Sequence, residues 1–374
     1  MIEVVKKKFL YLIPAVVFVI LLLISFLLLQ ASKRPAVETP QTAQLSDGTL
    51  VLYLTEEEEE IALFALDPQA TDKPIQVAYF EGDVIDIASS PDGNCIIAAV
   101  ENELGGSAFW RIDRQKDELE LLLDCGGAIC DQPVFSPDSS LLAYTRRETR
   151  FPQVWFLNLA DGSELPLFVN ESGAGEMPLW SPDGSKLAVW NAGERGIEII
   201  DITNGETWLF RVMSGDRGTW SPESDAIIFQ DTIPGAISYS NGVRRADLSS
   251  GEETPIVCSC KDETENSYLS PVVNAVDGRI VLGVRSIPVI ATRELWLVDA
   301  EGELLDVISD DLSVLVSRVA WSPDGTQLLF TRNEYPIEET PADLMLWTMD
   351  EGAQLLIEDV LGKPVWLPPV SVSE

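Results

Sequence analysis

Carboxylates are the side chains of this sequence that could do chemistry. The 374 residues contain 61 Asp and Glu, 25 Lys and Arg, and no histidine. Because histidine is the commonest general base and a frequent zinc ligand, its absence excludes Ser-His-Asp and Cys-His mechanisms within this sequence. The carboxylates are then the groups to consider first, either as a catalytic pair or as ligands of a cation.

Charged residues recur shortly before a repeated Ser-Pro motif. When the motifs are aligned on their prolines, the positions five and six residues upstream, with a matching lysine near the carboxyl terminus, hold Asp86, Asp131, Glu176, Asp216, Arg217, Glu265, Arg318 and Lys363. If the repeats fold alike, these side chains ring one opening. They predict a polar pocket for a cationic or peptidic ligand, or for a cation such as Ca²⁺. The alternative is that the repeat consensus alone places them there, around a water-filled channel.

The Ser-Pro motif sets the period of the chain. It reads SSPDG at 89–93, FSPDS at 135–139, WSPDG at 180–184, WSPES at 220–224, LSPVV at 269–273 and WSPDG at 321–325. Pro-Asp-Gly is typical of a tight turn. Three strand-like runs follow each turn, such as those at 187–190, 197–200 and 207–210. One repeat therefore predicts a sheet of four strands.

The two ends of the repeat region complement each other. LVLYL at 50–54 lacks a preceding strand, and PVWLPP at 364–369 resembles the missing one. The carboxyl-terminal strand is therefore predicted to complete the first sheet and to close a ring. One acidic turn residue per sheet gives seven sheets, marked by Asp47, Asp92, Asp138, Asp183, Glu223, Asp277 and Asp324. Six or eight are the alternatives, because the stretch at 270–278 is irregular.

Four tryptophans lie directly before the turn or at the matching place in the last strand: Trp180, Trp220, Trp321 and Trp366. Because they recur at equivalent positions, they predict packing between neighbouring sheets. A platform on which a ligand stacks is the alternative.

The amino terminus predicts a membrane anchor. Residues 9–29 carry no charge and are mostly aliphatic, and a helix of that length spans about 31 Å, enough for a bilayer core. A cleavable signal peptide usually has a shorter apolar region. Three lysines precede the segment and two basic residues follow it, so the positive-inside rule favours residues 1–8 in the cytoplasm. After a linker at 30–44, residues 45–370 then lie on the extracytoplasmic side.

Charge and cysteine usage narrow the partners further. Residues 35–374 carry 20 basic and 60 acidic side chains, a balance that repels phosphate backbones and argues against a nucleic-acid partner. Cys125 and Cys130 are close enough to bridge a short loop. Cys258 and Cys260 are a weaker candidate, because so small a ring is strained.

The six motifs resemble the TolB-type, WD-like β-propeller repeat over about residues 45–370. The resemblance implies an all-β fold whose four-stranded sheets are the blades of a propeller. Such propellers occur in periplasmic scaffold proteins, in surface proteins and as gating domains of prolyl-oligopeptidase-type enzymes. The sequence has neither the G-x-S-x-G elbow nor the histidine of those enzymes, and TolB-like proteins carry six blades and an additional α/β domain. Only the fold is carried over.

These observations predict a single-pass membrane protein that displays a seven-bladed β-propeller to bind a protein, a peptide or another ligand, without enzymatic activity and without a cofactor other than Ca²⁺. The alternative is a glycan-processing enzyme that uses carboxylates alone. Two carboxylates about 5 to 10 Å apart in a deep pocket would favour that alternative.

Overall fold

The computed structural model describes residues 45–57, 60–70, 73–115, 119–148, 151–167, 175–213, 215–232, 241–258, 266–286, 294–309, 314–334 and 341–371. The chain divides into two compact units, residues 1–39 and 40–374, and every described residue belongs to the second. The predicted transmembrane segment at 9–29 lies outside the described residues. Within the described residues all regular structure is β, and no helix there is long and apolar enough to cross a membrane.

Five sheets contain four antiparallel strands each, which follow one another along the chain. Their strands are β4 (Val84–Ser89), β5 (Cys95–Glu101), β6 (Ser107–Asp113) and β7 (Leu119–Asp124); β8 (Ile129–Phe135), β9 (Leu141–Arg147), β10 (Gln153–Asn158) and β11 (Glu164–Pro166); β12 (Glu176–Trp180), β13 (Lys186–Asn191), β14 (Gly196–Asp201) and β15 (Thr207–Arg211); β16 (Thr219–Trp220), β17 (Ala226–Thr232), β18 (Asn241–Asp247) and β19 (Glu253–Val257); and β20 (Asn266–Val273), β21 (Ile280–Ser286), β22 (Glu294–Val298) and β23 (Leu304–Ser309).

A sixth sheet of seven strands joins the two ends of the described region, in the order β24-β25-β26-β27-β1-β2-β3. Its strands are β1 (Leu50–Glu57), β2 (Glu60–Leu66), β3 (Ile75–Phe80), β24 (Val314–Trp321), β25 (Gln327–Glu334), β26 (Ala342–Thr348) and β27 (Gly352–Leu367). The two halves of β27 serve different neighbours, because residues 352–360 pair with β26 and residues 361–367 pair with β1. The predicted pairing of the carboxyl-terminal strand with the strand at 50–54 is therefore present, with Val51 opposite Trp366.

The core lies between the faces of successive sheets. The second strand of a sheet is buried along nearly its whole length, as in β5, whereas an outermost strand such as β7 is largely half-buried or exposed. Buried residues of neighbouring sheets form shared clusters, in which Ile97 and Phe109 of one sheet pack with Leu142 and Tyr144 of the next. Burial of this apolar surface is the main source of stability.

Each Ser-Pro-Asp turn satisfies its own polar groups. After β8, Ser136 Oγ donates to Asp138 Oδ1 (2.6 Å), which also accepts from the Ser140 amide (3.1 Å). These hydrogen bonds lower the pKa of Asp138. The fifth turn differs from the prediction, since Asp225 accepts the serine hydroxyl there and Glu223 does not. The same serine–aspartate bond recurs at Ser90–Asp92, Ser181–Asp183 and Ser322–Asp324.

The sixth turn contains the predicted Asp277, but it begins four residues later than an alignment on its Ser-Pro pair implies. Pro271 is inside β20, and residues 274–278 make the turn. There the Asn274 amide donates to Arg279 O (2.8 Å), the bond that the motif serine makes in the other turns. Asn274 therefore takes the place of the serine, and the alignment on Pro271 is wrong.

Three of the four motif tryptophans donate their indole N–H to the inner strand before their own. Trp220 donates to Leu179 O (3.0 Å) and Trp321 to Val272 O (3.2 Å), both in the preceding sheet. Trp366 donates to Ala320 O (3.0 Å), which lies in β24 of the same seven-stranded sheet. Trp180 is also buried, but its indole nitrogen has no hydrogen-bond partner within the described residues. Trp180 packs on Phe156 of the preceding sheet, with 5.6 Å between the ring centroids. The predicted packing between sheets is therefore confirmed for Trp180, Trp220 and Trp321.

Arg114 holds together the region where the two ends of the described chain meet, called here the terminal seam (residues 46–52 and 365–371). The arginine is only 4% exposed. Its guanidinium donates to four backbone carbonyls, those of Ser46, Gly48, Gly93 and Pro368. Burial lowers the pKa of Arg114, yet the side chain stays protonated because a guanidinium is an extremely weak acid. One buried cation thus binds three separate segments of the chain.

A disulfide braces the connection between β7 and β8. Cys125 and Cys130 form it with a Cα–Cα distance of 6.3 Å, as their spacing predicts. Ser107 Oγ fixes the same connection, because it donates to Cys130 O and accepts from Cys130 N, both at 2.7 Å. Cys258 is also disulfide-bonded, whereas Cys260 lies outside the described residues.

Candidate functional site: the charged mouth

Seven strand segments contact one another in succession and are called here the inner strands. Six of them are the first strands of the six sheets, and the seventh is part of β27. They are β4, β8, β12, β16, β20, β24 and the half of β27 at 361–367. Contacts join β27 to β4, β4 to β8, β8 to β12, β16 to β20 and β24 to β27. Trp220 links β16 to β12, and Trp321 links β24 to β20. The inner strands therefore form one connected set.

Inner strands carry a β-bulge a few residues before the turn. The register shifts between Asp131 and Val134 in β8, and equivalent shifts occur in β4, β12, β20 and β24. Four residues at these bulges have a positive φ although they are not glycine: Gln132, Met177, Ser270 and Arg318. A bulge kinks the strand and re-aims its side chains. Five of the predicted site residues lie at or beside such bulges: Asp86, Asp131, Glu176, Arg318 and Lys363. Asp216 and Arg217 directly precede β16, and this end of the inner strands is called here the mouth.

Four of the predicted site residues line one cavity at the mouth. The cavity has a volume of about 340 Å³, and its charged lining residues are Asp86, Asp131, Arg318 and Lys363. Two of these are acidic and two are basic. These four residues come from different repeats and line one cavity; their contact with a ligand stays a prediction.

The other predicted site residues have different surroundings. Glu176 lies in β12 and reaches Asp131 through a shared arginine. Arg217 interacts electrostatically with Asp86, and Asp216 accepts a long hydrogen bond from the Gly218 amide (3.4 Å).

Glu265 lies outside the described residues. With Asn274 in the place of the motif serine, Leu269 and Ser270 hold the positions that correspond to Ser317 and Arg318. The assignment of Glu265 to the mouth stays a prediction. Ser270 carries the positive φ of this bulge.

Arg147 is the residue of the mouth that sequence reasoning missed. Its Nε lies 2.9 Å from Asp131 Oδ2 and its Nη1 lies 2.5 Å from Glu176 Oε2. One guanidinium thus joins acidic side chains of two neighbouring sheets. Sheet register could have revealed it, because Asp131 pairs with Thr145 and Arg147 follows two residues later on the same face.

The remaining cations of the mouth have no such partner. Among the described residues, no carboxylate lies within 4.0 Å of Lys363, Arg318 or Arg217. Arg318 Nη1 donates to Gly362 O (2.7 Å) and Arg217 Nη1 donates to Pro178 O (2.8 Å). Each arginine is therefore held in place by one carbonyl while its other N–H groups have no partner among the described residues.

The electrostatics of the mouth follow from its enclosure by protein. Lys363 and Asp86 are accessible to water, but loss of hydration lowers the pKa of Lys363 and raises that of Asp86, while each charge partly offsets the shift of the other. Loss of hydration also raises the pKa of Asp131 despite its bond to Arg147. Asp131 Oδ1 is buried without a hydrogen-bond partner among the described residues, which adds to the cost of its charged form.

Metal ligation needs a cluster of donors that the mouth does not offer in the described part of the chain. No group of three or more His, Cys, Asp or Glu side chains there is placed to hold a metal ion. One oxygen of each acidic neighbour, Asp131 Oδ2 and Glu176 Oε2, is paired with Arg147. Binding of Ca²⁺ stays a prediction.

Comparison with known proteins bears on the fold. No family model matches the chain, and no curated protein does. Solved structures do match, with probability 1.00. TolB from Acinetobacter baumannii is 16% identical with a TM-score of 0.51, and the match covers 90% of this chain and 89% of that one.

Two archaeal proteins give similar matches. The β-propeller domain of the Trilobed protease from Pyrococcus furiosus, described as having an open velcro topology, is 14% identical over 84% of this chain and 94% of that one, with a TM-score of 0.57. An acylaminoacyl peptidase from Pyrococcus horikoshii is 16% identical over 86% of this chain and 54% of that one, with a TM-score of 0.56. At such identities the likeness establishes the fold alone. The chain has a β-propeller fold like that of TolB.

Proposed function

We propose that this protein is a binding module, a membrane-anchored β-propeller that holds a ligand or partner at the mouth of its inner strands on the extracytoplasmic side. The observation that carries the proposal is the cavity of about 340 Å³, where charged side chains from separate sheets converge. Its size fits the usual range of ligand pockets, about 300 to 1,000 Å³.

The propeller has seven blades in this proposal, closed by the carboxyl-terminal strand. Five sheets are one blade each, and the seven-stranded sheet is two blades that share β27. The pairing of β1 with residues 361–367 and the four bonds of Arg114 support a closed ring. A closed ring leaves no inner strand without neighbours, so the mouth has a fixed outline.

The disulfide supports the extracytoplasmic location. Disulfides persist in oxidising compartments and are rare in the cytosol, and Cys125–Cys130 is formed. Together with the apolar segment at 9–29 it favours an anchored propeller outside the membrane. Protease added to intact spheroplasts should remove a tag placed after residue 371 and spare a tag placed before residue 9. Protection of both tags would contradict this location.

Binding is favoured over catalysis by the pairing of the acidic residues. A general acid or base must be able to exchange a proton with its substrate. Asp131 and Glu176 both form ion pairs with Arg147, which makes them less available for such an exchange. The absence of histidine removes the commonest alternative base. The cations of the mouth, by contrast, are available to a ligand.

A photo-crosslinking experiment tests the proposal. The crosslinking residue replaces Ile85, which lines the cavity, or Ile202 as control, which lies in the turn after β14; both isoleucines are 38% exposed. In cells that produce the full chain, position 85 should give discrete adducts that disappear when Val84→Trp fills the cavity. Equal adducts from positions 85 and 202, or none from either, would contradict a binding site at the mouth.

One observation favours a second candidate, the carboxylate-dependent glycan-processing enzyme. Asp86 and Asp131 line the same cavity, and the pKa of each is raised by loss of hydration, as a catalytic acid requires. Release of reducing sugar from a panel of polysaccharides by the full chain, abolished in Asp86→Asn, would favour it. Absence of turnover across the panel would remove it.

A further inference from the structure

The charged residues of the mouth fall into two groups by their ion pairs. They are called here the neutralised side, whose charges pair with one another, and the available side, whose cations have no such pair. On one side Arg147 joins Asp131 and Glu176. On the other side Lys363, Arg318 and Arg217 have no carboxylate within 4.0 Å in the described part of the chain. Two acidic residues oppose them, because Asp216 and Asp86 interact electrostatically with Arg217 and Asp86 also interacts with Lys363. The available side therefore has an excess of positive charge.

We propose that the cavity binds a carboxylate that is attached to an apolar group. This inference deepens the proposed function, on which it rests, by naming the chemistry of the ligand. The proposed ligand is an anion, whereas the acidic residues aligned in the sequence predict a cationic ligand.

The donors fit a carboxylate. A lysine ammonium has three N–H donors and a guanidinium has five. Arg318 lines the cavity and donates Nη1 to a backbone carbonyl, which leaves its other N–H groups for a ligand. Arg217 also donates Nη1 to a carbonyl and adds positive charge beside the cavity without lining it. Ionised donors bound to a carboxylate make short, strong hydrogen bonds.

The charge of the lining favours a monoanion. The cavity itself is lined by two acidic and two basic residues, so a dianion such as a phosphate monoester would face Asp86 and Asp131 as well as the cations. A singly charged carboxylate can contact Lys363 and Arg318 with less repulsion.

An apolar wall completes the site. Leu54, Val84, Ile85 and Ile87 line the same cavity. Apolar contact with such a wall stabilises a ligand in proportion to the area it buries. The free carboxyl terminus of a peptide with an apolar last residue has this chemistry, and so has a small acylated amino acid.

Calorimetry on the full chain in detergent micelles tests the inference with four probes. They are N-acetyl-leucine, N-acetyl-leucinamide, and the peptide Ser-Gly-Ser-Gly-Ser-Gly-Leu with a free or an amidated carboxyl terminus. The free acids should bind at least tenfold more tightly than the matched amides. A tighter complex with the peptide acid identifies a peptide terminus as the source, and equal affinity identifies a small acid; both support the site.

Charge-removing variants locate the site. Lys363→Gln and Arg318→Gln should each weaken binding of the acids at least tenfold, whereas Lys363→Arg should retain it. Arg211→Gln is the matched control, because Arg211 is 68% exposed and pairs with Glu194 away from the cavity. The circular dichroism spectrum of each variant should equal that of the parent chain.

Three outcomes would overturn the inference: amides that bind as tightly as the acids, acids that do not bind, or acids whose binding survives Lys363→Gln. The crosslinking experiment separates this failure from failure of the proposed function. Adducts at position 85 with no preference for acids would refute the carboxylate alone. No adducts and no binding would refute both.

Discussion

The two ends of the inner strands treat charge in opposite ways. At the turn end, each aspartate of the Ser-Pro-Asp motif accepts hydrogen bonds from its own turn, as Asp138 does from Ser136 and Ser140. At the mouth, Lys363 and Arg318 lie beside a cavity without a carboxylate partner among the described residues. A polar residue that recurs in each repeat is therefore structural where its own turn supplies its hydrogen bonds. Where it lies at a strand bulge without an ion pair, it is available to bind a ligand.

The largest expected effect on stability comes from Arg114, whose hydrogen bonds hold the terminal seam. Arg114→Met removes four charged hydrogen bonds and leaves buried carbonyls without donors. We expect the free energy of unfolding to fall by about 3 to 5 kcal/mol, as measured by urea denaturation. Arg211→Met, which removes an exposed ion pair, should change it by less than about 1 kcal/mol. Equal losses in the two variants would show that Arg114 does not hold the terminal seam.

A smaller effect is expected from the disulfide near the mouth. Replacing Cys125 and Cys130 by serine releases a loop of few residues, for which chain entropy predicts a loss of about 2 kcal/mol in the free energy of unfolding. The hydrogen bonds of Ser107 persist and limit the loss. Because Asp131 follows Cys130 directly, binding of N-acetyl-leucine should weaken as well. Unchanged stability would show that the hydrogen bonds alone fix this connection.

Arg147→Gln should make the mouth more acidic, because it removes the cation that neutralises Asp131 and Glu176. The variant frees the carboxylates of Asp131 and Glu176, so we expect roughly tenfold weaker binding of N-acetyl-leucine, a change of about 1.4 kcal/mol. It should also gain binding of Ca²⁺, which prefers carboxylate oxygens. Calorimetry with each probe measures both. Strong Ca²⁺ binding by the unchanged protein would show that its mouth is acidic after all.

The fold was accessible to sequence reasoning because the repeat carries its own turn chemistry. The pairing of the carboxyl-terminal strand with β1 followed from the two incomplete repeats and is present, with Val51 opposite Trp366. The sequence predicts the sixth turn at Asp277, where it lies, but not that Asn274 performs the role of the motif serine, because the Ser-Pro pair at 270–271 imitates the motif.

The site was accessible only in part. The positions of Asp86, Asp131, Arg318 and Lys363 followed from the repeat, and one cavity brings them together. Their pairing did not follow, because Arg147 lies outside the motif and its position depends on the register of β8 with β9. The sign of the available charge, and with it the proposed ligand, therefore came from the structure.

The smallest expected effect is that of Asp86. Asp86→Asn removes the acidic charge that opposes Lys363 and Arg217, so binding of N-acetyl-leucine should tighten by roughly threefold, as expected when a like charge is removed near an anion. Asp161→Asn, in the exposed turn after β10, is the control and should leave affinity unchanged. Weaker binding in Asp86→Asn would mean that Asp86 contacts the ligand as an acceptor.

The most direct test is the pKa of Lys363, followed by NMR of ¹³C-methylated lysines in the full chain and assigned with Lys363→Arg. Enclosure by protein lowers this pKa from its ordinary value, and the lysine must be protonated to bind an anion. We expect a lowered pKa of Lys363 that rises when N-acetyl-leucine is added and does not respond to N-acetyl-leucinamide, with affinity for the acid lost as the pH passes above this pKa. A pKa that responds to neither probe, or equally to both, would show that Lys363 does not bind the carboxylate.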